Sequence, residues 1–209
     1  RYGGKTVGLF RATARCCSFP HLPPHLTRMI GGRPVADLQT LAANEPLIRR
    51  LQWKADDARG AVDGARHGWH EWLVTNGLGG YASGTIVGAI TRRYHGLLIA
   101  ALPAPIGRAM LVNYMSERLR FEDRSTEWLG AHGRDGRLAQ AEGTQHLVEF
   151  RLEAGLPTWR YALRGIVVER SLLMPYGQNS VHITYRIIEG DQSTRLTLRP
   201  LLGFRGHDD

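Results

Sequence analysis

Cysteine and lysine are nearly absent from this chain: the two cysteines, Cys16 and Cys17, are neighbours, and of 27 basic residues only Lys5 and Lys54 are lysine. Adjacent cysteines close a disulfide only with strain, so no disulfide framework is implied, and a reducing, cytoplasmic compartment is the expected location. Long apolar runs are missing too. The most hydrophobic stretch, residues 96–106, is broken by Pro103 and Pro105 and falls well short of the roughly 20 residues that a membrane span needs. No membrane partner is expected. The first residues show neither an initiator methionine nor a charged-then-apolar leader, and Pro20, Pro23 and Pro24 would break a signal helix. The chain is read as a piece of a longer one.

A formal charge of +8 on 209 residues invites an anionic partner, but its location argues otherwise. Residues 1–66 carry 11 basic against 5 acidic side chains, and residues 67–209 carry 16 against 14. The second part is therefore close to neutral, its arginines interspersed with acids instead of clustered as a phosphate-tracking groove requires. Nucleic acid is not the expected partner.

Residues 1–66 read as an N-terminal extension, poorly ordered where Arg, Gly and Pro dominate (residues 1–34). It is partly helical where Val35, Leu38 and Leu41, and then Leu47, Ile48 and Leu51, fall at helical spacing. Beyond residue 67 a period of two takes over. Val181, Ile183, Tyr185 and Ile187 alternate with His182, Thr184 and Arg186; Val148, Phe150 and Leu152 with Glu149 and Arg151; Trp159, Tyr161 and Leu163 with Arg160 and Ala162. Leu196 and Leu198 repeat the pattern, and residues 96–102 form a further apolar strand. Turn chemistry separates these runs at Asp135-Gly136, Gly155-Leu-Pro157, Pro175-Tyr-Gly177 and Glu189-Gly-Asp191. Short alternating strands without helical periods between them predict an all-β fold, an antiparallel β-sandwich.

The most informative stretch runs from Glu71 to Leu98, where six glycines stand among Asn76, Tyr81, Ser83, Arg92, Arg93, Tyr94 and His95. In Asn76-Gly77-Leu78-Gly79-Gly80-Tyr81 the glycines permit positive φ and leave amides able to meet a ligand oxygen; the rival reading is a tight β-turn with no ligand. The spacing is neither a dinucleotide fingerprint nor a phosphate loop, so no nucleotide cofactor is expected. Arg92 to His95 precede the apolar strand, and strand parity would send Arg93 and His95 one way and Arg92 and Tyr94 the other. Glu71 is the one carboxylate in the block, and glycoside hydrolysis ordinarily needs two. Its expected role is to pair with an arginine such as Arg92. His67 with His70 and His21 with His25 lack a completing ligand, and Ser83 lies outside a nucleophile elbow, so neither a metal site nor a catalytic residue is assigned.

These residues resemble the N-terminal domain of the bacterial and archaeal type of glycogen debranching enzyme, the amylo-α-1,6-glucosidase family. The match is carried by Glu71-Trp-Leu-x-Thr-Asn-Gly-x-Gly-Gly-Tyr-Ala-Ser-Gly-Thr85, by Thr91-Arg-Arg-Tyr-His-Gly-Leu-Leu98 and by Pro103-x-x-x-Gly-Arg108. Fainter echoes are Pro157-x-Trp159-x-Tyr161, Met174-Pro175, Asn179-Ser-Val181, Tyr185-Arg186, Leu198-x-Pro200 and Arg205-x-His207. The resemblance implies a supersandwich-like, glucoamylase-type N-terminal domain over residues 67–209, truncated here, that precedes a catalytic (α/α)6 barrel carrying the carboxylates. By that resemblance Asn76, Gly79, Gly80, Tyr81, Arg92, Arg93, Tyr94 and His95 would shape the site for an α-glucan, glycogen or limit dextrin. Tyr81 or Tyr94 would stack on a sugar, and Asn76, Arg93 and His95 would hydrogen-bond its hydroxyls or the barrel. The other reading is a stand-alone α-glucan-binding module without catalysis.

Overall fold

The computed structural model describes residues 9–15, 70–131 and 143–207. Eleven strands follow in chain order: β1 (Leu9–Arg15), β2 (Glu71–Thr75), β3 (Tyr81–Thr85), β4 (Gly96–Ala101), β5 (Arg108–Arg120), β6 (Thr126–Trp128), β7 (Leu147–Glu153), β8 (Leu156–Leu163), β9 (Ile166–Leu173), β10 (Ser180–Glu189) and β11 (Arg195–Gly206). One 3-10 turn, Thr144–His146, precedes β7, and the described residues include no α-helix. None of their helices is long and apolar enough to cross a membrane. The helices expected over residues 35–51, the Asp135-Gly136 turn, and His21, His25 and His67 lie outside the described residues.

All pairings are antiparallel and form two sheets. One has the order β1-β10-β9-β8-β7; the other runs β11-β5-β4-β3-β2, with β6 also on β5. Each sheet is a meander closed by a strand from elsewhere in the chain: β2 to β5 are joined by β11, and β7 to β10 by β1. The fold is all-β, as the alternation predicts. β1 was not expected from its Arg- and Gly-rich surroundings; it pairs with β10 from Leu9 opposite Arg186 to Arg15 opposite Ser180.

Why these segments are strands is visible in their faces. In β2 Trp72 and Val74 are buried and Glu71, Leu73 and Thr75 are not; in β9 Ile166, Val168 and Leu172 turn into the core. The core between the sheets is built around Trp159, whose ring meets Trp72 and Phe150 edge-on, each at 5.3 Å. Both indoles find partners, as buried indoles must: Trp159 Nε1 donates to Ile86 O at 2.8 Å and Trp72 Nε1 to Thr85 O at 3.2 Å.

A buried ion pair interrupts the apolar core. Glu117 of β5 points inward, where Arg170 Nε of β9 lies 3.0 Å from Oε1 and the Tyr185 hydroxyl of β10 donates to the same oxygen at 2.6 Å. The Arg170 guanidinium also lies 4.4 Å from the Trp159 ring centre. Burial pushes the Glu117 carboxyl up from its ordinary value, and Arg170 and Tyr185 work against that push. A buried charge is tolerable only with such a partner.

Removing that partner gives a stability test. Glu117→Ala leaves the Arg170 guanidinium buried without a counter-ion and is expected to cost about 3–5 kcal/mol. The Glu117→Leu/Arg170→Met double substitution recovers most of the loss. Urea unfolding of Glu117→Leu, Arg170→Met and the double reads this directly; a strictly additive result would show that the pair is not coupled.

Candidate functional site

The turn between β2 and β3 is organised by one side chain. Asn76 is fully buried (0% exposed). Its Oδ1 accepts from Leu78 N at 2.9 Å and Gly80 N at 3.0 Å. Its Nδ2 donates to Gln178 O at 3.0 Å and to Asn179 Oδ1 at 3.1 Å, across to the turn between β9 and β10. Asn179 in turn accepts from Ala101 N at 2.9 Å and donates to Ala101 O at 2.7 Å, and Gly177 N reaches Asn76 O at 2.7 Å. An amide can make about four such bonds and Asn76 makes all of them within the chain. The expectation that Asn76 reaches a sugar is therefore replaced by a structural role, and the Leu78 and Gly80 amides face Asn76 instead of a ligand.

Two glycines are required by this geometry. Gly77 has φ +76°, and a Cβ there would come within 2.6 Å of Tyr176 Cδ2, so the tyrosine ring rests against the bare glycine. A Cβ on Gly80 would stand 2.9 Å from Ile99 O. Gly79 contributes its carbonyl, which accepts from Arg108 Nε at 2.8 Å.

Strand parity fails at Arg92 to His95, because these residues form a turn ahead of β4, closed by His95 N on Arg92 O at 3.1 Å. The turn brings together side chains that alternation would have separated. Arg92 Nε and His95 Nε2 both meet Glu71 Oε1, at 2.5 and 3.3 Å, which bears out the arginine pairing expected for Glu71. His95 is 3% exposed, and its Nδ1 accepts from Thr91 N at 3.2 Å. Nε2 therefore carries the proton that faces Glu71. With both ring nitrogens engaged, His95 secures the turn, a departure from the sugar-facing role expected of it.

What the turn presents outward is a layered cluster. Tyr81 and Ser83 alternate with core residue Ala82, so they stand on the outer face of the six-stranded sheet. Both hydroxyls donate to Tyr94 O at 3.2 Å. The Tyr94 ring stacks on His207 at 4.6 Å and carries the Arg93 guanidinium 4.7 Å from its centre. His207 meets Tyr81 edge-on at 5.9 Å, with Nε2 2.9 Å from the Tyr81 hydroxyl. Arg205 of β11 donates to Arg93 O. Arg92 and Arg93 are exposed, Tyr81 is partly buried and Tyr94 is 36% exposed.

Of the expected residues, Tyr81, Arg92, Arg93 and Tyr94 thus share one outward patch, while Asn76, Gly79, Gly80 and His95 build the turns beneath it. Arg205 and His207 complete the patch from the far end of the chain; their spacing was visible as Arg205-x-His207 but carried no chemical signal. Tyr176, 87% exposed against Gly77, was read only as part of a turn. Glu71 is the one acidic side chain bonded to this turn among the described residues, and no group of three or more His, Cys, Asp or Glu among them is placed to hold a metal.

Residues 70–209 match the family described as glycogen debranching enzyme N terminal. Nothing matches among curated proteins or among solved structures.

Burial holds the His95 imidazole below its ordinary pKa, while the Glu71 carboxylate pulls it up; the Arg92 guanidinium holds Glu71 low. Both pKa values are lowered by folding. Their contribution to stability is therefore present above the unfolded values and fades as pH falls through the folded ones. Glu71→Gln removes the carboxylate that favours the imidazolium, so an NMR titration should place His95 lower still in that variant. A rise, or no change, would break the assignment of the Glu71–His95 contact.

Proposed function

The chain belongs to the glycogen debranching enzyme N-terminal family, and from that footing we propose that it is the non-catalytic sandwich of an enzyme that hydrolyses α-1,6 branch points of glycogen. Residues 67–209 form this domain together with β1, which the N-terminal segment adds to the five-stranded sheet. The sandwich shapes the pocket for the branch stub beside a catalytic (α/α)6 barrel of the same polypeptide, which carries the acid and base that hydrolysis needs. The proposed setting is cytoplasmic glycogen breakdown.

The observation that supports this most is the convergence of the two motif blocks with Arg205 and His207 on one outward patch, since a turn needed only for chain reversal has no use for it. Of the two rings expected to stack on sugar, Tyr94 is engaged by Arg93 and His207, and Tyr81 meets His207 edge-on. The outward polar groups, Arg92, Arg93 and the tyrosine hydroxyls, are suited to hydrogen-bond glucose hydroxyls or the barrel surface. Asn76 and His95 support them from below.

A second reading, a glucan-binding module that acts without a barrel, draws on a different residue. Tyr176 rests its ring against Gly77 with most of its surface in solvent, where it is open to stack on a pyranose.

In the complete enzyme, Arg93→Ala or Tyr94→Ala should lower kcat/KM on a branched limit dextrin by about tenfold or more, roughly one hydrogen bond to a charged donor, with little change in Tm. Unchanged kcat/KM at unchanged stability refutes the pocket role. The module reading instead expects this chain alone to be retarded in a glycogen affinity gel, and Tyr176→Ala to abolish the retardation.

A further inference from the structure

A second charged feature lies on the outer face of the six-stranded sheet, at the end where β5 finishes and β11 begins. Leu119 and Leu196 are direct partners across this strand pair and turn into the core. Their neighbours Arg120 and Arg195, also direct partners, must then project outward side by side, with Arg118 opposite Thr197 two residues along. Like charges directly opposite one another repel across an antiparallel pair. The Arg118 guanidinium lies 5.6 Å from the Trp128 ring centre.

None of these three arginines makes an ion pair among the described residues. The contrast with the five-stranded sheet is direct. There Arg151 is bracketed by Glu149, Glu153 and Glu169, and Arg160 by Glu149 and Glu169, at 2.5–3.6 Å.

Beside Arg120 and Arg195 opens a cleft of about 640 Å³ that Ser193 and Thr194 also line. Thr194 Oγ1 is buried there without a hydrogen-bond partner. Glu122 is the one acidic side chain lining the cleft, and it forms no ion pair with either arginine. A buried hydroxyl left unpaired is costly, and so is an unneutralised arginine pair.

We infer that this cleft binds the phosphate group of a small phosphorylated ligand. Two guanidinium forks match the oxygen pairs of a phosphate and supply charge-assisted donors, while the exposed Ser193 hydroxyl adds a neutral one. Arg118, on the same outer face, adds to the positive field that draws the anion in. The source of the phosphate is inorganic phosphate or a sugar phosphomonoester; a dianion satisfies the site in either case. This site is independent of the Tyr94 patch, so it stands whether or not that patch touches glucan.

The test is thermal unfolding and titration calorimetry of the 209-residue chain with inorganic phosphate and with glucose 1-phosphate, against sodium chloride of matched ionic strength. At roughly 100-fold excess over Kd, phosphate should raise Tm by about 5 °C beyond the chloride control. Tighter binding of glucose 1-phosphate would assign the organic ligand, and equal binding the anion alone. Arg195→Ala should leave the Tm without phosphate unchanged or higher, because a repulsive neighbour is gone, and abolish the phosphate response. A rise that chloride reproduces, a response that survives the Arg120→Ala/Arg195→Ala double substitution, or no phosphate binding at all, as for an arginine face that meets an acidic protein surface, would overturn the inference.

Discussion

The carboxamide of Asn76 is the constraint from which the outward patch is built. With its four hydrogen bonds it closes the β2–β3 turn and ties that turn to the one between β9 and β10, which belongs to the opposite sheet. Asn179 extends the tie to β4 through Ala101. Gly79, Tyr81 and Tyr176 take their positions from this junction. The junction is polar and buried, so each missing bond would leave an amide unsatisfied in the interior, and the arrangement is held to one geometry.

Glu71 does for the second turn what Asn76 does for the first. One carboxylate oxygen receives Arg92 and His95, and the turn it fixes places Arg93 over Tyr94 and Tyr94 over His207. The two layers divide the labour: buried and half-buried polar groups set the backbone, and the cationic and aromatic groups above them face outward. The motif residues read from the sequence are thus spread over both layers.

Much of the sandwich was legible because its strands bury one face. Val181, Ile183 and Tyr185, or Trp159, Tyr161 and Leu163, alternate as half-buried strands do, and the structure places them in the core. β5 was harder, because Glu117 stands at an inward position and its partners come from β9 and β10, whose proximity no local pattern reveals. The site was legible in residue identity but less so in role. Asparagine and histidine are read by default as outward and reactive, whereas Asn76 and His95 are enclosed by bonds whose partners, Gln178 and Asn179 for the first and Glu71 for the second, lie elsewhere in the sequence. Arg205 and His207 meet Arg93 and Tyr81 only through the return of β11 beside β5.

The inward charge on β5 also bears on how the sheets choose their alignment. Sliding β5 by a single residue would swing Glu117 out to solvent and turn Arg118 inward, on the side of Arg170, which would lose the acid that neutralises it. The same slip would turn Leu119 out of the core, so the apolar face opposes it as well. Here the mismatched alignment would confront two buried guanidinium groups, so the ion pair acts as a lock that only the native setting of the strands can turn.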